Sequence, residues 1–269
     1  MDNNLNFTVK PRVKNGHKVA YTKDGEDYTV DGLRIEEEFN NENEDQELSR
    51  SLAWASCKLT IPGVVPNAWK VDTPLIQAYE IHEFFTPEEC QKTIDVINQN
   101  LCQSGVTGGT PSTYRTSRTN HIEDVDLEWA KIIDIKMANV LGVSPKFSEG
   151  TQGQRYDATQ YFKEHVDWFP DEYFDEEDAG MKEMGNRTWS FMVYLNNVEE
   201  GGETLFRRIN RKFVPRQGTA LVWNNLYPDG HGNPFTIHEA MPVTKGNKWV
   251  ITKWFREQEN PHHWTPRPE

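Results

Sequence analysis

Cysteine is scarce in this chain of 269 residues: three occur, at Cys57, Cys90 and Cys102. An odd count without C-x-x-C spacing excludes a disulfide framework and a zinc knuckle, and it suits a reducing compartment. Long hydrophobic runs are absent as well. No stretch approaches the ~18 consecutive apolar residues of a membrane span, and the opening MDNNLNFTV is too polar for a signal peptide. The mean hydropathy is −0.79. Positive charge is also short, with 29 Lys and Arg against 42 Asp and Glu, for a formal net charge of −13. Such a chain offers no field for tracking phosphates, so nucleic acid is not an expected partner. These absences predict a soluble cytoplasmic protein without a membrane partner, built as one large domain with an extension. Aromatic residues, at 12% with nine Trp and nine Tyr, exclude wholesale disorder, because they can fill a substantial core.

The N-terminal thirty or so residues alternate as strands do around two turn signals, Asn15-Gly16 and Asp24-Gly25, which predicts a small β-meander. Glu36 to Glu47 is acidic and nearly free of apolar side chains, the composition of a solvated linker. At Thr86 the pattern changes. Thr-Pro-Glu-Glu offers an N-cap, a proline at the first helical position and a capping-box Glu89, and Cys90, Ile94, Ile97 and Leu101 recur at helical spacing. The spacing predicts a helix over 87–103. A second helix is expected over 127–141, opened by Asp126 and closed by Gly142. Beyond it the period becomes two, and Trp189–Leu195, Thr219–Trp223 and Lys248–Phe255 read as strands. Helices followed by short strands predict an α+β domain with a sandwich or barrel core.

His165-Val166-Asp167 places an imidazole and a carboxylate two residues apart, on one face of a strand. One further histidine from a distant strand would complete a 2-His-1-carboxylate facial triad, the usual arrangement of non-haem Fe(II) oxygenases. A bare H-x-D pair is equally a surface histidine beside a solvated aspartate, so the downstream sequence decides. His238 lies ten residues ahead of Lys248, which opens the run KWVITKWF. There Lys248, Val250, Thr252 and Trp254 share one face, and a lysine among inward-facing apolar residues is costly unless it meets an anion. A small dicarboxylate would supply one. Trp249, Ile251 and Phe255, on the opposite face, read as core. The chain also holds decoys: His121-Ile122-Glu123 and Asp229-Gly230-His231 both read as structural.

Taken together, these residues resemble the prolyl 4-hydroxylase family of Fe(II)- and 2-oxoglutarate-dependent dioxygenases. The likeness is carried by Arg115-Thr116-Ser117, Tyr156 and Gln160 ahead of His165-Val166-Asp167, Tyr194-Leu195-Asn196, Gly201-Gly202-Glu203-Thr204, Val214-Pro215 with Gly218, and His238 followed by Pro242-Val243, Gly246 and Lys248-Trp249. It runs in the family's order from about Leu75 to Glu257. The resemblance implies that His165, Asp167 and His238 bind Fe(II) and that Lys248 pairs with the distal carboxylate of 2-oxoglutarate. It further implies that Tyr156, Thr204 and Trp254 line the cosubstrate pocket and that Arg187 faces a peptide groove. Two positions depart from the family pattern. Phe162 stands where a tyrosine is usual, and Arg256 where some relatives carry a histidine that touches the peptide.

The implied fold is a double-stranded β-helix, a jelly roll with packing helices and an N-terminal β extension. Residues 1–73 form the extension and acidic linker, 74–260 the dioxygenase domain and 261–269 a Pro/His-containing tail. The implied activity is hydroxylation of peptidyl proline at C4 with O₂ and 2-oxoglutarate, giving succinate and CO₂, with ascorbate rescuing uncoupled turnovers. A free amino acid or another peptidyl residue is the alternative substrate, and a non-catalytic peptide-binding module the alternative class. Asp171 to Asp178, with six acidic residues in eight, falls in the family's lid segment and reads either as a field for basic peptides or as a solvated loop. The cysteines read as buried or half-buried thiols, and His262 and His263 as exposed.

Overall fold

The computed structural model describes residues 67–105, 113–170, 183–227 and 230–264, with Val65, Phe174 and four two-residue strands nearer the N-terminus. Those four are β1 (Val13–Lys14), β2 (His17–Lys18), β3 (Ala20–Tyr21) and β4 (Asp27–Tyr28), paired as two hairpins. They flank the two expected turns. The turn residues themselves, the acidic stretch Glu36–Glu47, Cys57 and the run Asp171–Asp178, save Phe174, lie outside the described residues. Next come β5 (Ala68–Lys70), β6 (Ala78–Ile81), α1 (Pro87–Ile97), β7 (Cys102–Gln103), β8 (Arg118–His121), α2 (Leu127–Leu141), β9 (Gln152–Tyr156) and β10 (Phe162–His165). They are followed by β11 (Arg187–Tyr194), β12 (Glu200–Gly201), β13 (Thr204–Phe206), β14 (Arg211–Phe213), β15 (Ala220–Asn224), β16 (His238–Ala240), β17 (Val243–Lys245) and β18 (Lys248–Arg256).

Both helices start as their capping residues dictate. Thr86 Oγ1 accepts from the Glu89 backbone at 3.2 Å while Glu89 returns a carboxylate to the Thr86 N–H at 2.8 Å. Asp126 accepts from the Trp129 backbone at 2.9 Å, and Gly142 closes α2 at φ 67°, where a glycine avoids the Cβ clash. The first helix is shorter than its spacing predicts, ending at Ile97 instead of 103. Its terminal carbonyls are taken from outside the helix: Asn120 Nδ2, on β8, donates to Val96 O at 3.2 Å and Ile97 O at 3.1 Å. Leu101 then leads into β7.

An eight-stranded antiparallel sheet runs in the order β5-β6-β15-β11-β18-β9-β8-β7, facing a four-stranded sheet ordered β10-β16-β13-β14. Strand alternation divides the core in two. Phe191 and Val193 of β11 and Trp249, Ile251 and Phe255 of β18 pack with Ile97, Trp129, Ile133 and Met137 of the helices. Met192, Tyr194 and Val250 point the other way, toward Phe206, Phe213 and Val243. Two antiparallel sheets with helices along one outer face make the expected double-stranded β-helix. The large sheet reaches N-terminal of residue 74, since β5 pairs with β6. Among the described residues, no helix is long and apolar enough to cross a membrane.

Candidate metal centre and its two cavities

His165 ends β10, and the antiparallel register of β10 and β16 sets it directly opposite His238. Asp167 follows two residues later. The ligand atoms of these three side chains all lie within 4.8 Å of one another. Each imidazole is turned by its own backbone, with His165 Nδ1 2.8 Å from Lys163 O and His238 Nδ1 2.9 Å from Thr236 O. A proton on Nδ1 satisfies both carbonyls and leaves the Nε2 lone pairs free, the tautomer a metal requires. The Nε2 atoms lie 3.8 and 3.9 Å from the Asp167 carboxylate oxygens. Phe162 stacks on the His165 ring at 3.7 Å, and Phe206 and Trp223 pack on His238 at 5.2 and 4.9 Å.

Asp167 is buried and held by Ser190 Oγ at 2.5 Å, and Ser190 in turn accepts from Asn225 Nδ2 at 2.9 Å. Burial works against its charge, yet His238, His165, Arg187 and Ser190 hold its carboxyl below the usual range. Burial, and then His238, push the His165 imidazole down to about 3, so the ring is neutral near pH 7. A neutral His165 imidazole, the His238 imidazole and an anionic carboxylate make a donor set that fits Fe(II) on one face and leaves other positions open.

Beside the triad a narrow inner cavity is lined by Tyr156, Thr204, Lys248 and Trp254, four residues singled out from the sequence, and by Arg115, Gln154, Trp223 and Thr252. Lys248 is 1% exposed, and its Nζ lies 5.3 and 5.5 Å from the ring centres of Tyr156 and Tyr194. Among the described residues no carboxylate lies within ion-pair distance of it, and burial pushes its ammonium down to about 7, with Glu203 offsetting part. Tyr194 donates its hydroxyl to Thr204 at 2.8 Å, which leaves the threonine's own proton free. Among the described residues, the buried indole N–H groups of Trp254 and Trp223 have no acceptor. A buried ammonium and orphaned donors around one cavity fit a small dicarboxylate.

Outside this space a cleft of about 850 Å³ reaches the triad, within the usual range for ligand sites. Phe162, Trp168, Phe169 and Trp254 give it an aromatic side, while Thr119, His121 and Gln152 give it a polar end. Arg187 lines it too, forked onto Glu149 at 2.6 and 2.7 Å and stacked 4.0 Å over Trp254. Arg256 does not line either cavity. Its side chain is 2% exposed and pairs with Glu149 at 2.8 Å, which holds it away from both cavities.

The decoy histidines stay outside the triad. His121 pairs loosely with Glu123 at 3.9 Å, His231 is absent from the three-ligand cluster, and Asp229 lies outside the described residues. Two minor expectations need correction. Cys102 is exposed, because the early end of α1 places it on a sheet edge, whereas Cys90 is buried with its thiol pushed up to about 11 by burial. His263 is half-buried, with its side chain drawn to 3.8 Å from the buried Asp134, which also accepts from Trp264 at 2.9 Å. Ser190, Asn225 and Gln154 are not singled out by the sequence, and the buried Arg115 is given no role in the site there. Only Arg115, in the run Arg115-Thr116-Ser117, gave any signal.

A family model described as the 2OG-Fe(II) oxygenase superfamily matches residues 151–256. The chain is 31% identical to the prolyl 4-hydroxylase subunit alpha-2 of Gallus gallus over 70% of its own length and 35% of the subunit's, so it spans about a third of that relative. It is 30% identical to a putative prolyl 4-hydroxylase of Acanthamoeba polyphaga mimivirus, covering 70% of this chain and 78% of that one. Its fold is similar to the crystal structure of a viral collagen prolyl hydroxylase from Paramecium bursaria Chlorella virus-1 in complex with 2OG. There the TM-score is 0.53 and the identity 24%, over 66% of this chain and 95% of the other.

Proposed function

The chain belongs to the prolyl 4-hydroxylase family of Fe(II)- and 2-oxoglutarate-dependent oxygenases, and from that premise we propose that it hydroxylates proline residues of a peptide or protein at C4. The observation that carries the reading is a single continuous arrangement: a buried lysine without a carboxylate, a three-ligand cluster beside it, and an aromatic cleft opening from that cluster. His165, Asp167 and His238 hold Fe(II), and Lys248 with Thr204, Tyr156 and Trp254 takes 2-oxoglutarate. Iron bound there supplies the chemistry that couples O₂ and 2-oxoglutarate to succinate, CO₂ and a hydroxylated product.

The protein's own part is orientation. The Nδ1 contacts and Ser190 keep the three ligand atoms convergent, the Lys248 ammonium fixes one end of the cosubstrate, and the aromatic walls exclude water. Phe162, stacked on His165, offers the substrate ring a surface without a hydroxyl. Arg187 reaches Asp167 O at 3.4 Å while lining the cleft, which joins the peptide side to the metal side. The oxygenase unit in this reading is 74–260 with β5 and the Trp264 contact packed on it, and ascorbate sustains its turnover.

The test is mass spectrometry on a library of proline-containing peptides incubated with the chain, Fe(II), 2-oxoglutarate and ascorbate. The expected result is addition of one oxygen to proline with matching succinate. Succinate formation that no peptide stimulates, or oxygen placed on another residue type, would overturn the substrate assignment.

A further inference from the structure

Trp168 directly follows Asp167, and its indole forms part of the cleft wall. Gly232 presses against that indole. A Cβ added to the glycine would lie 2.1 Å from Trp168 Cδ2 and 2.2 Å from Cε3, closer than any side-chain atom can approach. The indole N–H donates to Asn233 O at 3.1 Å, so its polar atom is engaged and the ring presents only its aromatic surface to the cleft.

Asn233 is itself immobilised. Its backbone N–H donates to Asn225 O at 2.8 Å, its side-chain amide to Leu75 O at 2.9 Å, and its carbonyl oxygen Oδ1 accepts from Phe235 N at 2.9 Å. Asn225 also donates to Ser190, which donates to Asp167. The circuit closes on itself: Asp167, Ser190, Asn225, Asn233, Trp168, and along the chain back to Asp167. One buried loop therefore sets the position of a triad carboxylate and of the neighbouring cleft wall together. Lengthening any link would move one relative to the other.

We propose that Trp168 is a specificity-determining residue whose indole packs against a proline ring of the peptide, and that Gly232 is the positioning residue that holds it there. The assignment rests on the functional reading above and deepens it. A polyproline-like segment is apolar, preformed and low in conformational entropy, and an indole with its N–H already satisfied recognises such a ring without demanding a hydrogen bond. An acidic side chain gains less from the same surface, because the face of the ring carries the negative part of its quadrupole.

The test compares wild type with Trp168→Ala, Trp168→Phe and Gly232→Ala, with Trp69→Ala, an exposed indole on β5, as control. The readouts are KM for a synthetic alternating Pro-Ala peptide, its Kd by calorimetry, and KM for 2-oxoglutarate. Trp168→Ala and Gly232→Ala are expected to raise the peptide KM and Kd about tenfold, Trp168→Phe to stay within about threefold, and KM for 2-oxoglutarate to stay within about twofold throughout. Trp168→Ala with an unchanged peptide KM and Kd overturns the inference alone. An equal rise in both KM values overturns it too, as the mark of a general structural role. Wild type that turns over 2-oxoglutarate but neither binds nor hydroxylates the peptide overturns the functional reading and, with it, this assignment.

Discussion

Replacing Lys248 with methionine separates a lysine kept for structure from one kept for a ligand. Its ammonium falls from an ordinary 10.5 to about 7, which at ~1.4 kcal/mol per unit corresponds to a cost on the order of 5 kcal/mol for carrying the charge in the folded chain. Because the folded value is the lower one, the unfolded chain binds the extra proton between the two values. The destabilisation is therefore complete below pH about 7 and vanishes above 10.5. Lys248→Met should accordingly unfold at higher denaturant than wild type near about pH 6, with the advantage shrinking toward about pH 10. Its affinity for 2-oxoglutarate should move the opposite way. Leaving the distal carboxylate buried without a partner costs about 3–5 kcal/mol, or roughly two to three and a half orders of magnitude in apparent affinity. Lys248→Arg should recover only part, since a planar fork does not fit a pocket shaped around a point charge. Urea titrations across pH, with 2-oxoglutarate-dependent CO₂ release, read both quantities. A variant less stable than wild type near about pH 6, or one with unaltered 2-oxoglutarate dependence, would refute the reasoning.

His165→Ala, Asp167→Ala and His238→Ala should each abolish peptide-stimulated succinate formation, while His231→Ala, outside the cluster, keeps it; the reverse pattern would reassign the ligand set. Ser190→Ala removes the 2.5 Å bond to Asp167 and should weaken Fe(II) binding by about 10–100-fold in a metal titration. Glu149→Gln leaves the half-buried Arg187 and the buried Arg256 without their shared carboxylate and should cost about 3 kcal/mol in urea unfolding. Burial opposes the Glu149 charge but the two arginines hold its pKa below the ordinary 4.5, so its contribution is complete above that value and is lost as pH falls through the lower folded one. Gly153→Val places a Cβ 2.3 Å from Ile97 Cγ1, where α1 meets β9, and should lower stability by about 1–3 kcal/mol by calorimetry.

Much of the site was legible because its signals are local. Helix α2 is capped by Asp126 and closed by Gly142 as read, since a cap bonds within three residues and a left-handed φ depends on one residue alone. The common face of Lys248, Val250, Thr252 and Trp254 follows from a two-residue period that no partner strand can alter, whereas Asp167 lies past the end of β10 and is brought beside His165 by the bend that follows the strand. Tertiary structure decided what lies across those faces. Asn120 shortens α1 from 23 or more residues away, and Ser190 grips Asp167 across 23. Glu149 captures Arg256 across 107 residues and removes it from the cleft. None of these contacts could be deduced from spacing, because the sheet order places β11 between β15 and β18, and β18 between β11 and β9. A side chain's parity is written into its own strand, whereas its partner depends on which distant strand the fold sets beside it. Chemistry that needs only parity and caps was therefore determined by the sequence alone. The choice among buried carboxylates, amides and guanidinium groups that hold that chemistry in place was made by sheet order and register.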